Sequence, residues 1–173
     1  MARLISIVGR KDAGKTTLAV ALVGELRRRG HRVMTMKHGH HPVDADRVGS
    51  DTWRHFNEGQ AERTLIAGPS LRVLFERADD DYDPVGLARR YLADADIVVV
   101  EGFSRAPLPK IEVWRTVVNA APLLDEAAEP ERWVALVADE RRGAPCPVLT
   151  FGDTNWLQAL GALAWHHAAE LSP

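Results

Sequence analysis

The 173 residues suffice for one domain with a full core and are too few for two, so a single domain over 1–173 is expected. Charged residues at 27%, hydrophobic residues at 46% and a net charge of −2 fit a soluble globular protein and give no electrostatic ground for nucleic-acid or membrane binding. The single cysteine, Cys146 between Pro145 and Pro147, cannot form an internal disulfide, and no window approaches a membrane span, so a cytoplasmic location is expected.

Residues 2–8, with the apolar run Leu4-Ile5-Ser6-Ile7-Val8, read as a buried parallel strand; the run is too short for a secretion signal. It leads into Gly9-Arg10-Lys11-Asp12-Ala13-Gly14-Lys15-Thr16-Thr17 and a helical pattern over 15–29. Two glycines followed by Lys-Thr, between a strand and a helix, form the P-loop pattern. Such a loop wraps backbone N–H groups around a β-phosphate, and the helix dipole favours the same anion. Lys15 is placed to reach the β- and γ-phosphates and Thr16 to ligate Mg²⁺. This stretch predicts nucleoside triphosphate binding.

Gly30 closes the helix, with Arg27, Arg28 and Arg29 complementing its negative end. Residues 31–37 read as a second strand. The polar stretch 38–49 reads as a loop, and Ser50 caps a short helix over 51–58 that ends at Gly59. Residues 64–67 and 71–75, separated by Gly68-Pro69-Ser70, predict an antiparallel hairpin at a sheet edge. The acidic run Asp79-Asp80-Asp81 reads as a solvated turn rather than a metal site, and leads to a helix over 84–93 with Pro84 at its first position.

Asp96-Ile97-Val98-Val99-Val100-Glu101-Gly102 is the clearest later strand, apolar enough to be buried on both faces. Residues 110–114 alternate like another strand, 116–132 are irregular with a helical turn near 124–129, and 133–138 and 148–150 read as late core strands. Asp153 is expected to cap a final helix to about residue 169. The alternation of strands and helices predicts an α/β fold of the P-loop NTPase type: a mostly parallel sheet flanked by helices, with an antiparallel edge hairpin.

An acid ending a core strand beside a P-loop reaches Mg²⁺ or its waters. Glu101 has that place, and Gly102 allows close backbone approach. The usual acid there is Asp; the longer arm of Glu suits contact through a water. His38, His40 and His41 have the imidazole chemistry of a Zn²⁺ or Ni²⁺ site, but no cysteine lies nearby to complete a soft set. The position of their loop after the second strand favours nucleotide or ligand sensing. Asp46 and Asp51 are its acids best suited to Mg²⁺ or its waters. His166-His167 read as a surface pair, and Trp53, Trp156 and Trp165 as packing residues.

The P-loop run at 9–18, Lys37-His38-Gly39-His40-His41 with Asp46 and Gly49-Ser50-Asp51, Val100-Glu101-Gly102-Phe103, and Pro109-Lys110-Ile111-Glu112-Val113 together resemble the molybdopterin-guanine dinucleotide biosynthesis B (MobB) family. The resemblance is strongest over residues 3–60 and 95–115. It implies a small GTP-binding protein that hydrolyses GTP weakly, forms homodimers through an extended sheet, and assists the A partner, the guanylyltransferase that joins GMP to molybdopterin. By that resemblance residues 9–17 hold the phosphates and Thr16 with Glu101 serve Mg²⁺. His38, His41, Asp46 and Asp51 form a loop over the γ-phosphate or the pterin cofactor, and the 64–75 hairpin is the candidate for dimer pairing. The Asn/Thr-Lys-x-Asp signature does not occur; Asp139 is a candidate guanine contact, with a solvated strand-end acid the equal alternative. Gln60 has no clear route to a γ-phosphate, so slow hydrolysis is expected. The rival readings are a metallochaperone GTPase carrying metal on the histidine loop and an ATP-dependent small-molecule kinase with Arg141-Arg142 as a minimal lid.

Overall fold

A computed structural model describes residues 1–39, 46–78 and 83–171, and the acidic run 79–81 lies outside the described residues. The chain divides into two compact units, residues 1–38 with 83–173, and residues 39–82.

The first unit is built on a sheet whose strands are β1 (Arg3–Val8), β2 (Val33–Lys37), β5 (Ile97–Glu101), β6 (Lys110–Trp114), β7 (Trp133–Ala138), β8 (Val148–Thr150) and β9 (Ala169–Glu170). Their order is β2-β5-β1-β6-β7-β8, parallel throughout, while β9 runs antiparallel to Arg3 and Leu4 of β1. The parallel arrangement follows from the sequence. β1 and β5 are continuous apolar runs, and both faces of each are covered. Ile5, Ile7 and Val99 pack with Leu22 and Leu26 of α1 (Lys15–Arg28) and Leu160 and Ala164 of α4 (Trp156–His167). Leu4, Val98 and Val100 pack on the opposite face with Ala88 of α3 (Pro84–Tyr91). Each fully buried leucine of this kind contributes roughly 1.5–3 kcal/mol.

Helix ends follow local chemistry. Gly30 takes φ +90° after α1, and its N–H donates to the Arg27 carbonyl while that of His31 donates to Leu26, a Schellman closure. Asp83 caps α3 by accepting from the Val85 and Gly86 N–H groups.

Asp153 differs from expectation. Its carboxylate accepts from the Thr150 N–H and Arg141, and α4 begins three residues later. Thr150 and Arg141 claim the carboxylate first. β9 was not expected, because two residues carry no periodicity.

The second unit holds α2 (Asp51–Asn57), β3 (Arg63–Ala67) and β4 (Arg72–Glu76). The Ser50 side chain caps α2 by accepting from the Trp53 N–H. β3 and β4 form the expected antiparallel hairpin, with Leu65 opposite Leu74. It stands as its own two-stranded sheet rather than on an edge of the parallel sheet.

Candidate functional site

The loop after β1 needs its glycines. Gly9 takes φ +149°, and a Cβ there would lie 2.5 Å from the Val113 carbonyl oxygen of β6. Gly14 takes φ +101° and stands at the N-cap of α1, where it has no side chain to occupy the N–H groups of the first turn. Asp12 turns the chain at φ +64°. Lys11, Asp12, Thr16 and Thr17 are exposed and Ala13 is buried. The result is a tight backbone loop opening on a helix N-terminus, an arrangement with the donors and dipole to bind an anion.

The Lys15 ammonium donates to the carbonyls of Gly9, at 3.0 Å, and Arg10, at 2.8 Å, which keeps the charge at the loop. Arg10 turns outward to pair with Glu126 at 3.2 Å. Thr16, one residue after Lys15, donates its hydroxyl to Glu101 Oε1 at 2.8 Å.

Glu101 reaches that hydroxyl because β5 lies directly beside β1, with Glu101 opposite Ile7. Its backbone is fixed from both sides. The His38 N–H donates to the Glu101 carbonyl, and the Gly102 N–H donates to that of Ile7. The buried Ser6 hydroxyl donates to the Gly102 carbonyl at 2.7 Å. Gly102 has φ +94°, and a Cβ on it would come within 3.1 Å of the His38 Cβ. The His38 ring stacks on Phe103 with centroids 4.6 Å apart. Thr16, Glu101, Gly102 and His38 are thus gathered at the carboxyl ends of β1, β2 and β5, beside the loop.

Lys37 joins them. It ends β2 opposite Glu101, and its ammonium lies 3.2 Å from the same Oε1 that Thr16 uses. The sequence reading quoted Lys37 within a motif and gave it no role. The missing signal was strand order: nothing local says that β2 and β5 are neighbours.

Asp46 and Asp51 belong to the second unit. The Asp46 carboxylate accepts from the Arg47 N–H and from the Ser50 hydroxyl, both at 2.8 Å, so it supports the cap of α2. Asp51 is exposed in the first turn of that helix. His40 and His41 lie outside the described residues. Among the described residues no three His, Cys, Asp or Glu side chains cluster as a metal-binding group.

Asp139 follows β7 and accepts from the Thr116 N–H and the Arg115 guanidinium. Burial works against its charge, but those donors outweigh it and hold the carboxyl below its ordinary range.

A buried acid was missed as well. Glu112, in β6, is 1% exposed and accepts from the Leu123 N–H at 2.6 Å, the Leu124 N–H at 2.9 Å and the Trp133 indole at 3.0 Å. It anchors the 3₁₀ turn Leu123–Glu126, whose last residue pairs with Arg10 of the loop. Its alternating sequence context gave no sign of burial.

Residues 4–139 match the family model of Molybdopterin guanine dinucleotide synthesis protein B, MobB. The chain belongs to the MobB family. The matched span includes the glycine loop, Lys37, Glu101 and Glu112. The molybdopterin-guanine dinucleotide biosynthesis adapter protein of Haemophilus influenzae is 34% identical over 130 residues, covering 71% of this chain and 70% of that protein. The protein of the same name from Escherichia coli is 27% identical over 159 residues, or 91% of this chain and 90% of that one. The crystal structure of molybdopterin-guanine biosynthesis protein B superposes with a TM-score of 0.70 at 27% identity, covering 94% of this chain and 97% of that one. The Bacillus subtilis MobB structure, at 20% identity and a TM-score of 0.71 over 93% of this chain and 97% of that one, shares the fold.

Proposed function

We propose that this chain is a GTP-binding accessory protein with weak hydrolase activity that assists guanylation of molybdopterin. The observation that carries the reading is the 2.8 Å hydrogen bond from Thr16 to Glu101 beside a glycine loop that opens on the N-terminus of α1. Membership of the MobB family supports the pathway, since relatives bear the name of adapter proteins in molybdopterin-guanine dinucleotide biosynthesis.

In this reading the backbone of residues 9–17 cradles the phosphates and Lys15 neutralises charge on the β- and γ-oxygens. Thr16 and Glu101 supply a hydroxyl and a carboxylate oxygen, the hard donors that suit Mg²⁺. When bound, Mg²⁺ neutralises charge developing on the phosphates. By the family resemblance His38, His41, Asp46 and Asp51 would serve the γ-phosphate or the pterin cofactor. Asp139, occupied by Arg115 and Thr116, would have to release a donor to read guanine.

The accessory role implies the guanylyltransferase as partner and a cytoplasmic location. Among the described residues no helix is long and apolar enough to cross a membrane. A homodimer is supported by the hairpin, in which β3 and β4 pair only with each other among the described strands and Leu65, Leu71 and Leu74 are exposed.

Titration calorimetry with GTP and with ATP, each with and without Mg²⁺, tests the reading. Mg²⁺-dependent preference for GTP is expected. Preference for ATP would move the protein toward a kinase.

A further inference from the structure

One carboxylate oxygen at the site collects two donors from different elements. Glu101 Oε1 accepts the Thr16 hydroxyl at 2.8 Å and lies 3.2 Å from the Lys37 ammonium. The Glu101 side chain is 13% exposed and that of Lys37 is 64% exposed. The acid is therefore mostly buried, while the lysine is largely exposed on a flexible stem with room to move.

The backbone leaves this lysine no other face. Parallel pairing sets Lys37 directly opposite Glu101, and the hydrogen bond from the His38 N–H to the Glu101 carbonyl locks that register where the strands end. The two side chains consequently project together at the carboxyl edge of the sheet, on the Thr16 side of the loop. Lys15 is already committed to the loop carbonyls of Gly9 and Arg10. Lys37 is thus a second ammonium at the same site, held by an acid rather than by backbone.

We propose that Lys37 reads the terminal phosphate, so that this protein discriminates nucleoside triphosphate from diphosphate through a cation delivered by β2. The inference rests on the nucleotide-binding reading above. Glu101 is the counter-ion of Lys37 in this structure. A divalent cation drawn to Thr16 and Glu101 would compete for that carboxylate and free the ammonium to donate to a γ-phosphate oxygen, a charge-assisted bond. A diphosphate presents no oxygen at that position, and Lys37 stays with Glu101. The side chain thereby contributes to triphosphate affinity and adds nothing for diphosphate.

The test is equilibrium binding with Mg²⁺ of GDP and of a non-hydrolysable GTP analogue to wild-type protein, Lys37→Met and Lys37→Arg. Lys37→Met should lose about tenfold in affinity for the triphosphate analogue and change by less than about twofold for GDP. Lys37→Arg keeps the charge and should retain most of the discrimination. An unchanged ratio of the two affinities in Lys37→Met, whether both are kept or both fall together, would overturn the proposal alone. Wild-type protein that binds neither nucleotide would overturn it together with the reading beneath it. The exposure of the Lys37 side chain makes folding of both variants expected, and thermal melts check it.

Discussion

Thr16 and Glu101 stand 85 positions apart in the chain and are joined by a 2.8 Å hydrogen bond. The parallel pairing of β1 with β5 carries the acid to the start of α1, and no local feature of either residue's sequence does so. A hydroxyl and a carboxylate brought to one point beside a glycine loop make a place where a hard cation and a phosphate can meet.

Removing the loop ammonium should separate binding from folding. Among the described residues the Lys15 ammonium donates only to loop carbonyls, so Lys15→Ala should keep the wild-type melting profile. Triphosphate affinity should fall by about a hundredfold, the loss of charge-assisted bonds to phosphate. Calorimetry reads both quantities on the same preparation, and unchanged affinity would remove the P-loop assignment.

Gly9 tests the shape of the loop. Alanine there places a methyl 2.5 Å from the Val113 carbonyl, at a backbone conformation L-residues rarely adopt. Relieving that contact must displace either the loop or β6. Gly9→Ala should lower stability by about 1–3 kcal/mol and weaken nucleotide binding along with it. Chemical denaturation checks the first effect; a wild-type midpoint would show that the loop has slack.

Glu112 predicts a pH effect with a definite sign. Burial pushes its carboxyl above the ordinary value of 4.5, against the Leu123 and Leu124 N–H groups and the Trp133 indole, which favour the charged form. An acid whose folded pKa is raised binds its proton more tightly when folded. Its stabilising effect is complete below pH 4.5 and is lost as pH rises through the raised folded value. Glu112→Gln cannot titrate. Denaturation of both proteins from pH 4.5 to about pH 7 should show the wild type losing stability relative to the variant as pH rises. A difference independent of pH would contradict the assignment.

The sequence carried the fold where local chemistry decides it. β1 and β5 are predominantly apolar, Gly30 ends α1, Ser50 and Asp83 cap their helices, and the glycine loop announces itself. What it concealed depended on neighbours. Lys110-Ile111-Glu112-Val113-Trp114 alternates like a strand with one wet face, yet all five residues are buried because β6 lies between β1 and β7. Its two ionisable side chains find hydrogen-bond partners there: Lys110 donates to the Ala106 and Leu108 carbonyls, and Glu112 accepts three N–H groups. Lys37 was hidden for the same reason, since its role depends on which strand lies beside β2.

Of the site residues, Thr16, Glu101 and Gly102 were legible because glycine loops and strand-end acids have recognisable forms, while His38 was read only as part of a histidine loop. Asp46 was legible only as an acid in a polar loop. Its observed bonds to the Arg47 N–H and the Ser50 hydroxyl are those of a capping network, chemistry the sequence expresses with the same residue types as a metal site.

In the proposed function the glycine loop and Glu101 form one Mg²⁺-dependent nucleotide site. Its most direct test is calorimetric titration of GTP into wild-type protein and Glu101→Gln across a series of Mg²⁺ concentrations. The amide keeps the size of the side chain and can accept from Thr16, but gives up the charge that draws the cation. GTP affinity should rise with Mg²⁺ in the wild type and respond much less in the variant. Superimposable Mg²⁺ dependences would contradict it.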